Sequence, residues 1–150
     1  MPRIAIRRAV GADAPAIQSL YGELVSNPGV SVSPQRVAEV AQDPRTCLLV
    51  AEAEGIVVGT ALVSLCSDVM FENQPFAVVE NIVVASGCRG SGVGAELIRE
   101  VERFCLASEC SKIMLLSSAE RAEAHRFFEK SGFVGSVKKG FVKYRRQFQA

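Results

Sequence analysis

Between Phe76 and Cys105 the chain places an apolar strand, a glycine-rich turn and an amphipathic helix end to end, with no room for a linker between them. The strand spans Phe76 to Val84, and its nearly continuous apolar C-terminal half predicts a central place in a sheet. Gly87 to Gly92 interrupts it. Val93, Leu97, Val101, Phe104 and Cys105 then recur at the spacing of one helix face.

The rest of the chain fits around that unit. Arg3 to Ala9 predicts a strand with Ile4 and Ile6 on one face. Asp13 is placed to cap a helix carrying Ile17, Leu20, Tyr21 and Leu24, and Asn27-Pro28-Gly29 breaks it. Ser33-Pro34 reads as cap and first turn of a second helix. Cys47 to Ala53 and Ile56 to Leu65 predict a hairpin around Glu54-Gly55, and Ser67 to Pro75 a loop. Lys112 to Leu116 predicts a short strand, and Glu120 to Lys130 a helix ended by Gly132. Phe133 to Val137 and Phe141 to Phe148 predict a terminal strand pair. The order β-α-α-β-β-β-α-β-α-β-β describes a mixed-sheet α/β fold, because three strands run without a helix between them.

Composition narrows the function classes. At 150 residues, with 49% hydrophobic and 22% charged residues, residues 1–150 fit one globular domain and not a disordered chain. A net charge of +1 supplies no global field toward nucleic acid or an anionic membrane, so an anionic ligand needs a local device. No stretch approaches the roughly 20 apolar residues of a spanning helix. Five cysteines without a CxxC pair point to reduced thiols, and hence to a cytoplasmic protein. One histidine, His125, leaves no histidine-rich metal centre.

The turn is that local device. A first helical turn has backbone N–H groups without intrahelical partners, and the helix dipole adds positive charge there. Glycines let a ligand approach the backbone closely. Together they make a phosphate or pyrophosphate site, to which Arg89 adds a fixed charge. The same glycines also serve a plain strand-to-helix connection. Two nucleotide motifs are excluded: Gly94 is followed by Ala95-Glu96 and not by Lys-Ser/Thr, and Leu115-Leu116-Ser117-Ser118 lacks the carboxylate of a dinucleotide fold.

Arg89-x-x-Gly92-x-Gly94 resembles the R/Q-x-x-G-x-G/A signature of the GNAT superfamily of N-acetyltransferases. Glu80-Asn81-Ile82-Val83-Val84 resembles that family's fourth strand. Ala124 to Phe133 is similar to its late A-x-x-F-Y-E-K-x-G-F segment. The resemblance implies acetyl-CoA as co-substrate, a small-molecule or peptide amine as acceptor, and a possible homodimer. A non-catalytic acyl-CoA-binding module is the alternative.

Carried over residue by residue, the resemblance implies that Ile82, Val83 and Val84 line the pantetheine arm. The N–H groups from Arg89 through Gly90, Ser91, Gly92, Val93 and Gly94 to Ala95 hold the pyrophosphate. Ser117 stands near a position where the family often has a cofactor-binding asparagine. Glu80 is either the base that takes a proton from the acceptor or a structural carboxylate, and the Val83 N–H is the candidate donor to the thioester oxygen. Leu24, Phe71 and Phe76 are candidates for the acceptor pocket or for packing. Phe128 replaces the family's usual tyrosine acid, so water, Ser117 or Tyr144 would have to protonate the departing thiolate. His125 reads as structural, and the basic run Lys138 to Arg146 as a solvated face.

Overall fold

Strand β2 (Thr46–Ala53) explains the layering of the protein. Successive side chains on a strand point to opposite faces, and here both faces are apolar. Cys47, Leu49 and Ala51 enter one core, and Leu48 and Val50 enter another. A strand buried on both faces requires a cover on each side.

The computed structural model describes residues 3–149, in two compact units that divide after Leu115. The first unit holds β1 (Ile4–Arg8), α1 (Ala14–Leu24), α2 (Pro34–Ala41), β2, β3 (Ile56–Cys66), β4 (Phe76–Val84), α3 (Val93–Ala107) and β5 (Ile113–Leu115). Its sheet has the order β1-β2-β3-β4-β5, antiparallel throughout except for the parallel β4–β5 pair. Helix α3 covers one face through Val93, Leu97 and Val101, each burying about 1.5–3 kcal/mol of apolar side chain. Helices α1 and α2 cover the other through Ile17 and Val37.

Several local signals act as the sequence predicts. Glu54 and Gly55 both have positive φ, 51° and 78°, as a tight hairpin turn requires. The Ser33 Oγ accepts the Arg36 N–H at 3.0 Å, with Pro34 opening α2. Asp13 differs. It stands at the N-cap of α1 without a side-chain capping bond there. Its carboxylate instead accepts both Arg7 nitrogens, at 2.7 and 2.9 Å, and the Val10 N–H at 2.8 Å. The Arg7 guanidinium holds the Asp13 carboxyl below the usual carboxylate range. A bidentate ion pair thus outcompetes the cap and ties β1 to the start of α1.

The second unit contains α4 (Ala122–Lys130). Gly132, at φ 95°, ends it with the Phe133 N–H bonded to the Phe128 carbonyl and the Gly132 N–H to that of Glu129, each at 3.0 Å. The predicted terminal strand pair is absent among the described residues. Residues 134–149 are all exposed and contain only a short 3-10 turn, Arg145–Gln147. Alternation stabilises a strand only where one of its faces is covered, and a lone hairpin is marginal. Among the described residues no helix is long and apolar enough to cross a membrane.

Candidate active site

Strand β4 has two neighbours for only part of its length. It pairs with β3 from Phe76 to Val84, but with β5 only from Ala77 to Val79. From Glu80 onward its edge away from β3 is open.

Which backbone groups face that opening follows from the ladder. Ala85 donates to the Val58 carbonyl at 2.8 Å, and bonded pairs alternate in an antiparallel ladder. Val83, opposite Thr60, therefore directs its N–H and C=O into β3. Ile82 and Val84 direct theirs outward. The Arg89 Nε accordingly donates to the Val84 carbonyl at 3.4 Å. The Val83 N–H, the sequence expectation for a donor to a thioester oxygen, thus points into β3, and it is the backbone of its neighbours that faces the opening.

Between the pairs Leu62–Glu80 and Thr60–Val83, two residues of β4, Asn81 and Ile82, stand opposite the single Ala61. This is a β-bulge, and Asn81 occupies it at φ 55°. The extra residue resets the alternation. Ala77 and Val79 belong to the core under α3, and beyond the bulge Ile82 and Val84 pack against that same core. Glu80 follows Val79, so its side chain projects from the opposite face, and both Glu80 and Asn81 are exposed.

The turn after β4 leaves a row of backbone N–H groups free. Gly90 and Gly92 have φ of 80° and 91°, and Gly92 is the N-cap of α3. The Glu96 N–H bonds the Gly92 carbonyl at 3.1 Å, so the N–H groups of Val93, Gly94 and Ala95 precede the first helical hydrogen bond. No side chain caps them. The Ser91 hydroxyl donates to the Cys88 carbonyl and closes the turn. Gly59 of β3 lets α3 come close: a Cβ there would stand 3.0 Å from Val93 Cγ1 and 3.2 Å from Leu97 Cδ1.

On α1, burial pushes the Tyr21 phenol above its ordinary range, and the Asn81 side chain partly offsets the push. Leu24 lies just under one turn further along α1, half-buried. Phe71 is exposed in the loop before β4, and Phe76 opens the strand with the Lys112 ammonium 5.3 Å above its ring. Two open surface hollows, of about 380 and 490 Å³, lie between α1 and the start of α2 and beside Gln74. Neither includes these residues.

The remaining predicted residues belong to the second unit. The Ser117 Oγ is enclosed and has no hydrogen-bond partner, an uncommon state for a buried hydroxyl. Phe128 is buried, its ring 5.3 Å from that of Phe127 and 6.1 Å from that of Phe133. Tyr144 is exposed, with the Arg146 guanidinium 5.1 Å over its ring. The His125 Nε2 is 2.8 Å from the Ser118 carbonyl, in keeping with a structural role. Burial pushes the Cys105 thiol up to about 12, so it is no thiolate at neutral pH.

The structure thus brings Glu80, Ile82, Val84 and the Arg89–Ala95 turn onto one continuous edge. Sequence reasoning missed the bulge at Asn81. The signal was a polar Glu-Asn pair inside an apolar strand, where asparagine is depleted unless it adopts a left-handed conformation.

The Acetyltransferase (GNAT) family model matches residues 17–133. N-acetylaspartate synthetase of Xenopus tropicalis is 33% identical over 105 residues, 67% of this chain. The matched segment is 36% of that relative, so the chain spans about a third of its length. A putative acetyltransferase from Agrobacterium tumefaciens superposes with a TM-score of 0.84 at 27% identity, over 94% of this chain and 99% of that one. Glucosamine-6-phosphate N-acetyltransferase from Arabidopsis thaliana has the same fold, with a TM-score of 0.83 at 23% identity over 95% and 99%.

Proposed function

Because the chain belongs to the acetyltransferase (GNAT) family, we propose that it transfers acetyl from acetyl-CoA to a primary amine of a small molecule or peptide, by direct attack in a ternary complex. The observation that carries this reading is the open edge of β4 running into an uncapped helix N-terminus. The Val93, Gly94 and Ala95 N–H groups, together with the α3 dipole, suit a pyrophosphate. Arg89, freed from the Val84 carbonyl, adds a charged donor to the same group. The Ile82 and Val84 backbone groups offer an amide-bearing arm the ladder that β5 no longer supplies.

An ammonium acceptor has no lone pair, so it must lose a proton before it attacks the thioester carbon. Glu80, exposed on the face opposite the α3 core, takes that proton directly or through water. As the amine adds, charge grows on the thioester oxygen, and an outward N–H of the strand stabilises it. Phe128 has no proton to give, so the departing thiolate takes one from water.

The test is thiol release from acetyl-CoA across a panel of amines that includes aspartate, a glucosamine phosphate, an aminoglycoside and a polyamine. Glu80→Gln should slow the best amine about 100-fold and leave acetyl-CoA affinity unchanged. Binding without release for every amine would favour the acyl-CoA-binding module instead.

A further inference from the structure

The way helix α3 ends brings two cysteines together. Ser108 is its C-cap, and Glu109 follows at φ 57°, a conformation that favours glycine. The Glu109 N–H bonds the Leu106 carbonyl at 3.1 Å, and the Cys110 N–H bonds the Cys105 carbonyl at 3.0 Å. This nested pair of bonds reverses the chain and sets the outer two residues, Cys105 and Cys110, side by side. A contact between the side chains at those two positions commonly accompanies such a turn. Here Cys105 is buried in the core under α3, and Cys110 packs, half-buried, against that core.

The turn is also held from outside. The Gln74 Nε2 donates to the Glu109 carbonyl at 2.9 Å, and the Ser111 N–H to the Pro75 carbonyl at 2.9 Å. Both partners precede β4 directly. Backbone bonds on each side thus fix the separation of the two cysteines. A disulfide needs α-carbons about 4.4–6.8 Å apart, and two residues joined by one N–H···O=C bond stand within that range.

We infer that Cys105 and Cys110 are a modification site, a thiol pair that closes to a disulfide at the C-terminal end of α3. The oxidant is a low-molecular-weight disulfide. The half-buried Cys110, as thiolate, attacks one of its sulfurs, forms a mixed disulfide and releases one thiolate. Cys105 then attacks the Cys110 Sγ and releases the second. The two small thiolates take up the protons that the cysteines lose, so one small disulfide is reduced as the pair is oxidised. Burial and the adjacent Cys110 push the Cys105 thiol up to about 12, so the closing step runs through a small thiolate fraction and quickens as pH rises. In a reducing compartment the pair stays open. It lies at the opposite end of α3 from the free N–H groups, so its chemistry stands whether or not the chain transfers acetyl.

Trypsin reads the pair directly, because cleavage after Arg103 and Lys112 leaves both cysteines in one peptide, residues 104–112. The native chain is equilibrated with oxidised and reduced glutathione, its free thiols are blocked by alkylation, and it is digested. Peptide 104–112 should appear unalkylated and lighter by the two hydrogens lost. Glutathione retained on Cys110, or a bridge from either cysteine to Cys47, Cys66 or Cys88, would overturn the assignment.

The same titration in urea separates the fold from mere closeness in sequence. At fixed reduced glutathione, the native chain should close at about tenfold less oxidised glutathione than the unfolded chain. An equal or greater requirement in the native chain would contradict the pairing. Glu109→Pro has no N–H and cannot adopt the positive φ, so it should lose that advantage. Glu109→Gly adopts the angle freely and should keep it. An advantage kept in the first variant, or lost in the second, would overturn the role of the turn.

Discussion

The turn that enters α3 and the bulge that interrupts β4 lie on one chain segment and obtain their shapes in opposite ways. The turn is local: Gly90 and Gly92 supply its positive φ angles, and its free N–H groups follow from the start of a helix. The bulge is non-local. Asn81 takes its positive φ where the register between β3 and β4 shifts, between the pairs Leu62–Glu80 and Thr60–Val83, so its shape depends on a strand distant in sequence. On the proposed function, binding falls to backbone that any glycine-rich turn supplies and chemistry to a strand that must first assemble.

Substitutions in the two regions should therefore fail differently. The largest effect is expected at Gly92, where a β-branched side chain cannot adopt φ 91° without reshaping the turn. Gly92→Val should weaken acetyl-CoA about 100-fold in calorimetry and also cost about 2 kcal/mol in urea unfolding, since a β-branched residue at that φ is strained even where its Cβ meets nothing within 4 Å. Equal affinity would mean that the turn does not hold the cofactor.

The bulge should lose stability without a loss of about 100-fold in acetyl-CoA affinity. Asn81→Val places a β-branched residue at φ 55° and should cost about 2 kcal/mol in urea unfolding. Asn81→Gly should leave stability near that of the wild type, and equal losses from both would break the strain argument.

A smaller effect is expected at the far end of α1. Asp13→Asn removes the Arg7 pair and should cost about 1.5 kcal/mol at pH 7, without altering acetyl-CoA affinity. The Asp13 carboxyl titrates lower in the folded chain than in the unfolded one. Its contribution is therefore complete above the unfolded value near 3.9 and is lost as pH falls through the lower folded value. Urea melts should show the gap between wild type and variant closing as the pH is taken below about 4.

The same division explains what could be read in the sequence. Gly132, the Ser33-Pro34 cap and the Glu54-Gly55 turn were legible because each acts within a few residues. The glycine-rich turn was legible for the same reason, and the resemblance it carries agrees with the match over residues 17–133. Asp13 was placed at the right helix end with the wrong partner, because Arg7 reaches it across space. The alternation in Phe141 to Phe148 suggests a strand, yet nothing within that run supplies a covering face. The bulge at Asn81 depends on β3, about 20 positions earlier, and no local pattern joins them.

The central claim is that the β4 edge and the α3 N-terminus together hold acetyl-CoA, and calorimetric titration of wild type and Arg89→Glu tests it most directly. The account predicts one site per chain in the wild type, weakened at least about 30-fold when a carboxylate faces the pyrophosphate. Equal binding by both proteins, or none by the wild type, would contradict it.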